Sequence, residues 1–107
     1  MADYSLPAQF DPMIHQQSRL AIMAVLAGCE SADFSYVQNA TQLTKGTLSK
    51  HLQKLQEVGY IEIQKSFKGN YPNTNVSMTK IGRKAFQEYR HKLQKFGLGL
   101  PEDEEQS

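Results

Sequence analysis

The amino-acid sequence predicts an α+β domain, mostly helical, with a single β-hairpin held between helices. Three observations carry this expectation. Leu48, Leu52 and Leu55 repeat at i, i+4 and i+7 behind a threonine able to cap a helix. YIEIQKSF and TNVSM alternate apolar and polar residues on either side of the turn-forming stretch KGNYPN. A chain of 107 residues with 39% apolar content supports one compact domain with one core.

Residues 1–14 are expected to form an N-terminal arm. The opening MADYSLPAQFDP has two prolines and no apolar period. HQQSRLAIMAVLAG then clusters Leu20, Ile22, Met23, Val25 and Leu26, more apolar than a surface helix needs, and stops at Gly28 as a C-cap. This first helix is therefore expected to be largely buried. Asp33 is placed to cap a short second helix, in which Phe34, Val37 and Ala40 recur every three residues up to Thr41 and Gln42.

Thr44 caps the next helix, which ends at Val58 and Gly59. In the following strand, Ile61, Ile63 and Phe67 are read as the buried side, interrupted by Lys65. The returning strand buries Thr74, Val76 and Met78. A last, long helix starts at the Thr79 cap and runs to about Phe96, with Ile81 and Ala85 serving the core and Gly97 and Gly99 stopping it. The domain spans 15–97, and 98–107 is an acidic disordered tail.

Helix, short helix, tight turn, helix, hairpin, helix is the order of a winged helix-turn-helix, with an N-terminal arm and a long C-terminal helix added here. Charge supports a polyanionic partner. The overall net charge of +1 hides strong segregation. Residues 1–44 set Arg19 against Asp3, Asp11, Glu30 and Asp33, whereas residues 45–97 carry nine lysines, Arg83 and Arg90 against only Glu57, Glu62 and Glu88. The tail adds Glu102, Asp103, Glu104 and Glu105. A basic surface flanked by acidic ends is the footprint expected for nucleic acid.

On a helical wheel centred on Leu48, the opposite side presents Gly46, Lys50 and Gln53, with Thr47, Ser49 and Lys54 on its shoulders. No carboxylate follows on that side until Glu57. A helix entering the major groove offers its first turns to base edges, so those positions must be small and able to hydrogen-bond. Gly46, Thr47 and Ser49 meet that need, Lys45, Lys50 and Lys54 reach phosphates, and Gln53 reads an adenine edge. A glycine inside a helix costs roughly 1 kcal/mol against alanine, and close approach of DNA is a reason to keep it. In the hairpin, Lys65, Lys68, Asn70 and Tyr71 sit near one another as a contact to a phosphate ridge or the minor groove.

The expected function is double-stranded DNA binding by a homodimer. Phe86, Tyr89, Leu93 and Phe96 follow a 3, 4, 3 spacing on the last helix, and a domain this small leaves little interior for them. A second copy is the natural cover, with Phe10, Met13 and Ile14 of the arm sharing the interface or covering the stripe within one chain. Two-fold symmetry then predicts a roughly palindromic site.

Other classes find less support. An enzyme is not expected: Ser49 and His51 point in different directions on their helix and no orienting acid is near. His51 is read instead as a packed, hydrogen-bonded residue. His15, His51 and His91 are far apart, so neither a metal nor a cofactor is assigned. Cys29 reads as a small buried thiol. The absence of a leader or a long apolar run points to a cytoplasmic protein with no membrane partner. The alternative function is a winged-helix protein-interaction module without DNA affinity, which requires an apolar outer face on the Thr44–Val58 helix.

Residues 15–96, and within them LTKGTLSKHLQKLQEVGY, KSFKGN and MTKIGR, resemble the small single-domain winged helix-turn-helix regulators related to the MarR and ArsR groups. The resemblance implies a DNA-binding homodimer with Thr44 to Val58 as recognition helix and the hairpin as wing. By position, Lys45, Gly46, Thr47, Ser49 and Lys50 inherit base and phosphate contacts, and Lys68 to Tyr71 the wing contact. Where such regulators carry wing arginines, this chain has Asn70 and Asn73, and the cysteine-rich metal-sensing box is missing. The resemblance also permits an effector at the dimer seam, which Phe86, Tyr89 and Phe96 would line.

Overall fold

The computed structural model of the chain describes residues 10–96. The acidic tail, Gly97, Gly99 and residues 1–9 of the arm lie outside the described residues. Seven elements follow: α1 (Gln17–Ala27), β1 (Ala32–Asp33), α2 (Phe34–Thr41), α3 (Lys45–Glu57), β2 (Ile61–Lys68), β3 (Tyr71–Met78) and α4 (Lys80–Lys95). The strands form an antiparallel sheet in the order β1-β3-β2. β1 is too short to show a period; it is a two-residue ladder, Ala32 opposite Val76 and Asp33 opposite Asn75.

Local signals place the helix ends. Gly28 is the C-cap of α1, and Thr44 Oγ1 accepts the Thr47 amide at 3.2 Å. α3 closes in a Schellman arrangement: the Tyr60 amide donates to the Leu55 carbonyl at 3.0 Å and the Gly59 amide to that of Gln56 at 2.9 Å. Gly59 takes φ +83°, a conformation in which a Cβ is strained. Asp33 differs from expectation: it occupies the N-cap position of α2, but its side chain makes no capping bond.

Helix α4 is seated by its glycine. Thr79 Oγ1 accepts the Gly82 amide at 3.0 Å and donates to the Gly59 carbonyl at 2.6 Å, which pins the start of α4 to the end of α3. A Cβ at Gly82 would stand 2.1 Å from the Tyr60 carbonyl oxygen, so only glycine lets the two segments touch. The next residue, Arg83, donates to the carbonyls of Ala27 and Cys29, both at 3.1 Å, satisfying the open end of α1. Cys29 itself is half-buried.

The core joins Ile22, Met23 and Leu26 of α1, Val37 of α2, Leu48, Leu52 and Leu55 of α3, and Ile61, Val76 and Met78 of the sheet. Ala40 is exposed, so α2 anchors through Val37 with Phe34 half-buried beside it. Ile81 is 64% exposed rather than buried; Gly82 is the residue of that turn facing the protein, and it turns Ile81 outward.

The described part of the arm, residues 10–14, is partly core. Phe10 and Ile14 are buried, with Phe10 stacked on His15 at 4.9 Å and tilted against Tyr89 at 5.6 Å. Asp11 accepts the Met13 amide at 2.8 Å and the Tyr60 hydroxyl at 2.5 Å. Burial, then that bond and the charges of Asp11 and Glu88, push the Tyr60 phenol up to about 12. Tyr89 bonds His15 Nδ1 at 2.7 Å, and burial raises its phenol too. Four residues assigned to a dimer seam, Phe10, Ile14, Phe86 and Tyr89, are thus already buried within one chain, because the arm folds back over α4. Met13, Leu93 and Phe96 stay half-buried at the rim of this cluster.

The hairpin is longer and its turn tighter than the sequence implied. Lys68 pairs with Tyr71, leaving Gly69 and Asn70 as a two-residue connection with Gly69 at φ +63°. Pro72 lies inside β3, where β1 no longer reaches and a missing amide costs no ladder bond on that edge. Phe67, assigned to the buried side of β2, is 72% exposed. Alternating burial holds at the inner end of the hairpin, from Ile61 to Ile63 and from Val76 to Met78, while the outer half projects past the core.

Candidate nucleic-acid interface

Burial of the leucine side of α3 fixes what its other side presents. Thr44, Lys45, Gly46, Ser49, Lys50, Gln53 and Lys54 are all exposed, and Thr47 is half-buried. Thr47 Oγ1 accepts from the Thr44 hydroxyl at 2.9 Å, which holds both side chains close to the helix start. Beyond its chain neighbours and its own helical backbone, no heavy atom of the described residues lies within 4 Å of a Cβ placed on Gly46. Between Thr44 and Lys54 the exposed side carries neither a carboxylate nor a large apolar residue.

α3 and the hairpin enclose an open cleft of about 480 Å³. Lys45, Ser49 and Gln53 line it from α3, and Lys65 faces them from β2. These are the sequence-predicted residues that the fold brings together. Lys50 and Lys54 are outside the cleft lining, and Lys68, Asn70 and Tyr71 stand at the far end of the hairpin. Asn73 and Thr74 of β3 and Asp33, Phe34 and Ser35 at the start of α2 also line the cleft. Sequence reasoning did not assign these five to the site; their place follows from the register of β3 and from the short β1 ladder, neither of which leaves a periodic signal. Asp33 is the single carboxylate in the lining.

His51 is 7% exposed on the flank of the leucine stripe. Its Nδ1 accepts from Arg19 Nη1 at 3.1 Å, while Arg19 Nε donates to the Met13 carbonyl at 2.7 Å. Burial above all, then the positive charges of Arg19, Lys50 and Lys54, hold its pKa below the usual histidine value. Neutral His51 therefore ties α3 to α1 and the arm. Among the described residues its ring bonds Arg19 rather than a carboxylate or a nucleophile.

The aromatic lining expected for an effector at a dimer seam is occupied by the chain itself. Phe10 packs on Tyr89 and, edge-on at 6.0 Å, on Phe96, and Phe86 stacks on Tyr89 at 6.4 Å. Among the described residues no helix is long and apolar enough to cross a membrane.

The chain is similar to known proteins in sequence and fold. The sequence profile of a winged helix DNA-binding domain matches residues 18–96. An uncharacterised protein of Methanocaldococcus jannaschii is 37% identical over 75 residues, 70% of this chain and 82% of that protein. The solved structure of a transcriptional regulator homologue from Pyrococcus horikoshii has a TM-score of 0.78 at 26% identity, covering 91% of this chain and 96% of its own. A MarR-family transcriptional regulator from Silicibacter pomeroyi shares the fold at a TM-score of 0.62 and 16% identity, with 92% and 68% covered.

Proposed function

Because the chain belongs to the winged helix DNA-binding domain family, whose members are DNA-binding modules and not enzymes, we propose that it is a homodimeric transcriptional regulator that reads double-stranded DNA with α3 in the major groove. One observation carries this reading: the exposed side of α3 is acid-free from Thr44 to Lys54 and runs through the cleft onto Lys65 of the hairpin. Gly46, Thr47 and Ser49 let the start of the helix approach base edges, and Gln53 offers both a donor and an acceptor to adenine. Lys45, Lys50, Lys54, Lys65 and Lys68 neutralise phosphates on either side.

The homodimer is supported by the half-buried Met13, Leu93 and Phe96, which a second copy would cover at the end of α4. Two-fold symmetry sets the two α3 helices roughly 34 Å apart, one turn of duplex, and favours a near-palindromic site. Each phosphate contact steepens the fall of log K with log salt by about 0.9.

The test is titration against duplexes selected from random sequence. Lys50→Glu puts a carboxylate on the exposed face; binding should fall by about a hundredfold or more while helical content stays unchanged. Retained affinity would remove α3 from the interface, and binding indifferent to salt would remove the lysine face.

A further inference from the structure

The outer end of the hairpin exposes an apolar surface that the described residues leave uncovered. Phe67 is 72% exposed, and Pro72, its registered partner across the ladder, is exposed as well. Strand alternation puts this pair on the same face as the pairs Lys65–Thr74 and Ile63–Val76. Val76 is core, and Ile63, Lys65, Pro72 and Thr74 line the cleft against α3. Phe67 is therefore the outermost residue on the side of the hairpin that continues the candidate interface.

The surroundings of this tip fit a polyanion with apolar walls. Lys65 and Lys68 flank Phe67, and the sequence from Ile63 to Gln87 contains no aspartate or glutamate. A duplex minor groove offers that combination: phosphates along both rims, deoxyribose carbons on the walls, and, at A·T pairs, a floor without the guanine amino group. The wing lacks an arginine to enter such a groove, since Asn70 and Asn73 stand at the tip and beside Thr74.

We propose, on the basis of the DNA-binding reading above, that Phe67 and Pro72 form an apolar wedge that packs into the minor groove flanking each half-site and favours A·T pairs there. Lys65 and Lys68 hold the two rims. The wedge acts by van der Waals contact with sugars and by exclusion of the guanine amino group, so it releases no counterions. Its contribution is then independent of salt, unlike that of every lysine around it.

The experiment measures affinity by fluorescence anisotropy over a salt series, on one selected site carrying either A·T or G·C flanks. Wild-type protein should prefer the A·T flanks by about tenfold, the loss expected when part of a phenyl group's burial is forfeited. Phe67→Ala should bind the A·T-flanked site about tenfold more weakly, show no flank preference, keep the wild-type salt slope and melt at the wild-type temperature. Lys68→Ala should instead reduce the slope by about 0.9 and keep the flank preference. Equal flank preference in wild type and Phe67→Ala overturns the wedge. A Phe67→Ala protein with altered self-association and unchanged DNA affinity also overturns it and assigns the tip to a protein contact. If Lys50→Glu abolishes binding and Phe67→Ala does not weaken it, the wedge fails and the recognition helix stands; if wild-type protein binds no duplex, both readings fail.

Discussion

Gly46 gives the sharpest test because its effects on stability and on binding have opposite signs. It is the second residue of α3, and a Cβ built there meets no heavy atom within 4 Å. Gly46→Ala therefore encounters no clash in the free protein, and only helix propensity changes. Alanine in place of a helical glycine stabilises by about 0.5–1 kcal/mol, mainly by lowering the entropy of the unfolded chain. For a domain of this size that raises Tm by roughly 2–8 °C. If DNA approaches the helix start as closely as its small residues suggest, the same methyl group collides with a base edge or sugar and forces the helix outward. A displacement that lengthens several hydrogen bonds is expected to cost on the order of 2 kcal/mol, about thirtyfold in affinity. The salt slope should change little, because the lysines keep their charge. Thermal melting by circular dichroism and anisotropy titration on the same preparation give both quantities. A variant that melts higher and binds DNA as well as wild type would show that nothing comes close to Gly46, and the argument from its small size would be wrong.

Three further outcomes follow from the same geometry. Gly82→Ala drives a Cβ to 2.1 Å from the Tyr60 carbonyl oxygen, so it should lower stability by about 2–3 kcal/mol in chemical denaturation, the reverse of Gly46→Ala; a neutral result would mean that α4 can slide off Tyr60 freely. His51 has its folded pKa lowered, chiefly by burial, so the unfolded chain takes up the proton first: stability should be constant above the unfolded value of about 6.5 and fall as the pH drops below it. His51→Gln should flatten that fall in denaturant titrations between pH 7 and pH 5. Asp33→Asn removes the single carboxylate from the cleft lining without breaking a capping bond, and should tighten DNA binding by about two- to fivefold with an unchanged Tm; weaker binding would assign Asp33 to a base contact.

What the sequence disclosed and what it concealed divide by range. Thr44, Thr79 and Gly28 were legible as caps because a cap depends on residues within one turn. Leu48, Leu52 and Leu55 were legible because a helix in contact with a core along its whole length imposes its own period. Phe67 departs from expectation for the converse reason: period-two burial assumes that the sheet stays over the core, and β2 leaves it after Ile63. Arg83 donates across 56 residues to Ala27, and nothing near it in sequence announces that. Gly82 is small because of Tyr60, in a different segment. The Phe86–Tyr89 stripe was correctly seen as apolar, yet its cover could come from the arm or from a second copy, and spacing cannot choose between them.

Burial of Phe86 and Tyr89 within one chain limits where a second copy can act. With Phe10 seated on Tyr89 and Phe96, the half-buried apolar rim among the described residues includes Met13 of the arm and Leu93 and Phe96 at the end of α4. Arg19 connects this rim to α3, since the same guanidinium holds the Met13 carbonyl and His51 Nδ1. A dimer that packs on Met13 therefore packs on a residue two hydrogen bonds from the recognition helix. Arg19→Met would keep much of the stem's packing and remove both bonds. It should weaken DNA binding by severalfold while leaving the salt slope at its wild-type value, as expected of a positioning residue that touches no phosphate. A reduced slope would instead place Arg19 in direct contact with DNA, and an unchanged affinity would show that α3 is held in place by its leucines alone.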